Sequence, residues 1–233
     1  MRWRASRLAS GFALAAVLVS GCETADRPPE EVTADGLVRV PARSVGGVYR
    51  APDATFTQYR RLILEPPSIS FIKDWDEKHP KVSPTELARI REDCVKLFRD
   101  EFSRELVKRG AYKFADEPAP DVLLVIPAIE ELDIAAPNVG SQAFTRTYTT
   151  GRPVTMKVTG DLRDAQSGKL VGRVIIYRPP ELYPHRQLRI ADRTTIAHEQ
   201  RLVFADWSTL VREALNVAKA EKPRPPRPNA APR

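Results

Sequence analysis

The sequence predicts an α+β domain: a two-layer sandwich in βαβββα order, with a mixed sheet and both helices on one face. Three observations lead to it. A long helical stripe runs from Ser83 to Gly110, and a continuous apolar strand follows at Asp121–Ile129. A hairpin pattern between Val154 and Arg178 then leads into a second helical stripe.

The first strand is the apolar run Leu62, Ile63 and Leu64, stopped by Pro66 and Pro67. Proline cannot donate to a sheet ladder, so a pair of them ends the pattern. "SFIKDWDEKHPKV" then reads as a loop. Ser83 opens the first helix as N-cap, with Pro84 at N1 and Glu86 placed to close a capping box. Leu87, Ile90, Cys94, Leu97, Phe98, Phe102 and Leu106 recur at three- and four-residue steps, which is one buried face. Lys108 and Arg109 suit the negative end, and Gly110 suits the left-handed C′ position.

Val122 to Ile126 are apolar without alternation, as in a central strand covered on both faces. Strand, helix, strand implies a parallel crossover. The segment from Glu130 to Pro153 is long and poor in apolar residues. Val154, Met156 and Val158 then alternate with polar residues, and Leu170, Val174 and Ile176 return as the second arm of a hairpin. In its turn, Asp164 is placed to accept from the backbone and Gly168 to adopt positive φ. Phe204, Trp207, Val211, Ala214, Leu215 and Ala218 mark the last helix; Pro179 to Thr195 carries no clear pattern.

The flanks have a different composition. Arg2, Arg4 and Arg7 precede an uncharged run of fourteen residues, Leu8 to Gly21. That is a charged n-region and an h-region, too short for a spanning helix of about twenty residues. Val19, Ser20, Gly21 and Cys22 resemble the lipobox of bacterial lipoproteins at every position. The resemblance implies cleavage between Gly21 and Cys22, removal of residues 1–21 as a signal peptide, and lipidation of Cys22. Two or three acyl chains anchor a protein firmly, since each buried methylene contributes about 0.8 kcal/mol. Glu23, in place of the aspartate that retains such proteins in the inner membrane, implies the outer membrane and a periplasm-facing domain.

Residues 22–55 read as a flexible tether, polar at first and broken by Pro28 and Pro29. "GLVRVPARSVGGVY" within it has enough apolar content to dock on the domain, which spans residues 56–220. Residues 221–233 are proline- and arginine-rich and read as a disordered tail. The net charge of +7 sits mostly outside the domain: three arginines in the signal and a net three charges in the tail leave only one. A concentrated basic face for phosphates is therefore missing, and nucleic acid is excluded as a partner.

Little in the chain points to catalysis. His79, His185 and His198 have no ligand-spaced neighbours, and no metal or other cofactor is expected. Cys94 lies on the apolar stripe, which suits a packed side chain better than a nucleophile. Asp74, Asp76 and Glu77 lack the glycine and distal glutamate of a calcium loop. The least bland feature is the segment before the hairpin, where Phe144 and Tyr148 alternate with Arg146 and Arg152. Exposed aromatics and arginines suit protein interfaces, whereas an edge hairpin packing those rings is the structural alternative.

Two stretches, "APDATFTQYRRLILEPPSI" and "VTMKVTGDLRDAQSGKLVG", resemble the bacterial lipoprotein family called domain of unknown function 3313. The second carries that family's turn pattern at Asp164, Ser167, Gly168 and Lys169. The resemblance implies address and fold, and no catalytic residues. Together these readings describe a lipid-anchored periplasmic module without enzymatic activity. It would hold the membrane through Cys22 and bind an unknown envelope protein or peptidoglycan. A glycan or small-ligand binder is the alternative, and an envelope enzyme the third reading.

Overall fold

The computed structural model describes residues 32–42, 46–135, 147–149, 151–179 and 189–220. The strands are β1 (Val38–Val40), β2 (Gly47–Arg50), β3 (Arg61–Leu64), β4 (Ser68–Phe71), β5 (Lys113–Phe114), β6 (Val122–Ile134), β7 (Thr147–Thr149), β8 (Val154–Asp164), β9 (Leu170–Arg178) and β10 (Arg189–Ala191). The helices are α1 (Trp75–Lys78), α2 (Pro84–Phe102) and α3 (Arg193–Ala220). Eight strands form one mixed sheet in the order β1-β2-β9-β8-β6-β3-β5, with β4 also beside β6; β7 and β10 form a separate two-stranded ribbon. The architecture is the expected α+β sandwich.

β3 and β4 both run parallel to β6, Leu62 opposite Leu123 and Ile69 opposite Ile129. They behave as one strand interrupted at Pro66–Pro67, where two donors are missing from the ladder. The parallel pairing of β3 with β6 across α1 and α2 is the predicted crossover. The core lies on one face of the sheet. Val125 and Ile129 of β6, Met156 and Val158 of β8, and Val174 of β9 meet Cys94, Phe98 and Phe102 of α2 and Phe204, Trp207 and Val211 of α3. Burying each such side chain is worth roughly 1.5–3 kcal/mol, which makes this layer the dominant stabilising contact.

Gly160 on β8 is small because of Trp207. A Cβ there would come within 2.2 Å of the indole Cζ2. The ring lies directly on the strand, and its Nε1 donates to the Val174 carbonyl at 3.2 Å.

Several expectations change. The stretch given to the tether contributes β1 and β2, which extend the sheet beyond β9, so Val38–Val40 and Gly47–Arg50 belong to the domain. Leu37, Tyr49 and Ala51 form a small second cluster on the sheet's other face, against Leu170 and Ile175. The rest of that face mixes exposed apolar side chains with ion pairs. Ile126 of β6 is exposed on it, so the strand is not covered on both sides as its unbroken apolar run implied. Arg173 bonds Asp161 at 2.6 Å and Asp35 at 2.7 Å there, and Lys157 meets Glu130 at 3.0 Å.

The start of α2 is as predicted, with Ser83 Oγ accepting from the Glu86 amide at 3.1 Å. The Glu86 carboxylate turns instead to Arg89. The helix end differs more. Ser103–Arg109 widens into a π-helical segment, and the left-handed residue is Ala111 rather than Gly110. Gly110 is needed for space: a Cβ there would meet the Leu106 carbonyl at 2.6 Å. The wider turn sets Glu105 in the buried layer, where it accepts from Arg109 and from Arg212 of α3.

Candidate functional site

The residues that carried the family resemblance meet at the closed end of the β8–β9 hairpin. Asp164 ends β8. Its Oδ1 accepts from the Ser167 amide and hydroxyl, both at 2.7 Å, and Gly168 closes the turn at φ 71°. Its Oδ2 accepts from the Tyr59 hydroxyl at 3.0 Å, and Lys169 reaches Asp53 at 2.6 Å. One carboxylate thus closes the turn and pins the entry segment of the domain. Burial opposes the charge of Asp164, but the hydrogen bonds from Ser167, Tyr59 and the Gln166 backbone outweigh it and hold the carboxyl below its ordinary value. Burial and the same bond push the Tyr59 phenol up to about 12, so it stays a proton donor. These bonds hold the chain at the turn, and the motif is a lock.

The open end of the same hairpin is different. Leading outward from the hairpin, β7 and β10 keep the antiparallel sense, with Tyr148 opposite Ile190. They form a ribbon of their own that pairs with no described strand of the main sheet. Tyr148 is 53% exposed and Ile190 36%, and they form a cross-strand apolar pair facing solvent. Arg152 is half-buried at the base, just before β8. Phe144 and Arg146 lie outside the described residues, as do Gly21 and Cys22. The expected loop from Glu130 is shorter than predicted, because β6 continues to Ile134.

Ile190 was missed in the sequence because it falls in the segment without pattern, between two prolines and a helix. The available signal was Leu188 and Ile190 on either side of Arg189, too short to separate from chance.

A second concave feature lies at the other end of α3. An apolar groove of about 370 Å³ runs between the β1–β2 hairpin and the last turns of α3. Val40, Val48, Phe56, Leu210, Ala214 and Val217 are among its lining residues, with Arg50 and Glu213 at its polar margin. Apart from Arg50 and Glu213, Tyr49 and Asn216 are the polar side chains among its described lining residues. Cys94 is elsewhere, fully buried, and burial raises its thiol to about 12, which keeps it protonated. His79 packs against Trp75 with the rings tilted at 46° and centroids 4.7 Å apart. Among the described residues no group of three or more acidic, histidine or cysteine side chains is placed to hold a metal ion. No described helix is long and apolar enough to cross a membrane.

Comparison with solved structures finds distant likenesses. The PelC dodecamer of Paraburkholderia phytofirmans is 12% identical, covering 72% of this chain and 97% of that chain with a TM-score of 0.34. A neuraminyllactose-binding hemagglutinin homolog from Helicobacter pylori is also 12% identical, covering 72% and 84%, with a TM-score of 0.32. No curated protein matches the chain. The family model described as "Protein of unknown function (DUF3313)" matches residues 33–183, from just before β1 to just beyond β9. The chain belongs to that family.

Proposed function

We propose that the protein is a lipid-anchored module of the bacterial envelope that binds an envelope protein, without catalysis, through the β7–β10 ribbon. Cys22 carries the anchor in this reading, by its resemblance to a lipobox, and the outer membrane is its address. The observation that carries the binding role is the ribbon itself. It stands apart from the main sheet and turns a paired tyrosine and isoleucine to solvent. Aromatic side chains with an apolar neighbour are enriched in protein interfaces, where burying them supplies most of the binding free energy. Arg146 and Arg152 add the residue type most often found beside such anchors.

A cell-wall glycan reading is less well supported. Sugar sites need several polar groups converging in a cleft. The groove at the far end of α3 is lined mainly by aliphatic side chains.

The test is a pull-down from envelope extracts with the mature chain lacking only its lipid, beside the Tyr148→Ser, Ile190→Ser double variant. One protein captured by the first and lost by the second supports the reading. Equal capture by both removes the ribbon from it, and retention on peptidoglycan alone replaces the partner class.

A further inference from the structure

We propose that the groove-bearing end of the domain docks on the bilayer that holds Cys22, so that the ribbon end is directed away from the membrane. This rests on the reading of Cys22 as the lipidated residue. Four observations converge on that end.

The first is the length of chain between anchor and domain. With β1 in the sheet, only nine residues separate Cys22 from Val32, and at most about 3.5 Å per residue limits their reach to about 35 Å. The α3 helix alone, 28 residues at 1.5 Å each, is about 42 Å long. The anchor therefore cannot lift the domain clear of the surface by even one helix length.

The second is where that chain enters. Val32 bridges to Val38, and Val38 stands two residues from Val40 on the same side of β1. Val40 lines the groove. A row of valines thus runs from the tether's point of entry into the groove.

The third is exposure. Val32 is 55% exposed and Val38 40%, while Val217, across the groove on α3, is 50% exposed. Exposed valines around an apolar groove make a surface suited to the acyl boundary of a lipid layer. The fourth is charge. The tail starts three residues past Ala218, another groove residue, and carries Lys222, Arg224, Arg227 and Arg233 against Glu221. Basic segments are drawn to anionic lipid headgroups. Anchor, apolar row and basic tail therefore all leave the domain at one end, and the ribbon that precedes α3 lies at the other.

The buried, protonated Cys94 thiol allows a selective label. The mature chain, acylated at Cys22, is reconstituted into phosphatidylethanolamine–phosphatidylglycerol vesicles carrying nitroxide lipids. A bimane fluorophore is attached at Val217→Cys or, separately, at Tyr148→Cys. Docking predicts quenching several-fold stronger at 217 than at 148, and its loss when Val38→Glu is added, with the chain still floating with the vesicles. A chain that floats while both labels stay unquenched overturns the docking and leaves the anchor standing. A quiet label at 217 in a dimeric chain shows that a second copy covers the groove, and also overturns it. A chain that does not float overturns the anchor and the docking together.

Discussion

The two ends of the β8–β9 hairpin are built from the same pair of strands and are held in opposite ways. At the closed end, Asp164 is fixed by Ser167 and Tyr59, while Lys169 is tied to Asp53 more than a hundred residues earlier in the chain. On the open-end side of the chain, β7 before β8 and β10 after β9 pair only with each other, as a three-residue ribbon outside the main sheet. A two-stranded ribbon is marginal alone, because its faces find little to bury against. The difference teaches how a small domain divides its work. Long-range polar contacts close the end that must stay folded, and apolar side chains remain free where the chain is available to another surface.

The comparison is broken most severely from the middle, where both ends depend on one ring. Trp207→Ala removes the indole that covers Gly160 and should cost about 3–5 kcal/mol in urea unfolding, lowering the protection of both ends together. Gly160→Ala attacks the same contact by overpacking and should cost roughly 1–3 kcal/mol, with the indole forced off its site.

The closed end comes next. Asp164→Ala leaves the buried Tyr59 hydroxyl without its acceptor and should cost about 1–3 kcal/mol by urea midpoint, with an unchanged slope. The same carboxylate gives a pH signature. Its folded value is depressed below the ordinary 3.8, so its contribution is complete above that value and is lost as pH falls through the folded value. Asp164→Asn should therefore be less stable than the parent at pH 7 and lose less stability between pH 5 and pH 2. Parallel acid profiles for the two chains would contradict the lock.

The open end should register least. Tyr148→Ser with Ile190→Ser changes exposed side chains on the two strands outside the main sheet, and global stability should move by no more than about 0.5 kcal/mol. Hydrogen exchange should show the amides of β7 and β10 opening well before those of β8 and β9.

The same contrast explains what the sequence made legible. The α2 stripe, the β8–β9 alternation and the Asp164–Gly168 turn are local patterns, and each appears in the structure close to its expected bounds. β1, β2 and β10 are three or four residues long, and no period can be read from so few. Their pairing is decided by the strand beside them. The π-helical end of α2 was equally hidden: it sets Glu105 against Arg212, more than a hundred residues away, a contact no local pattern announces. Half of the ribbon was legible through Tyr148. Its partner Ile190 was not, because the strand that completes the site lies forty residues further along the chain.

The central claim is that the molecule is polarised, with its ribbon end turned to a partner and its groove end held at the membrane. Site-specific photocrosslinking in intact cells tests it most directly, with a photoreactive residue placed at Tyr148 or at Val217. The account predicts one discrete protein adduct from position 148 that disappears with Ile190→Ser, and lipid adducts from position 217. The same protein adduct from both positions, or lipid adducts from position 148, would contradict it.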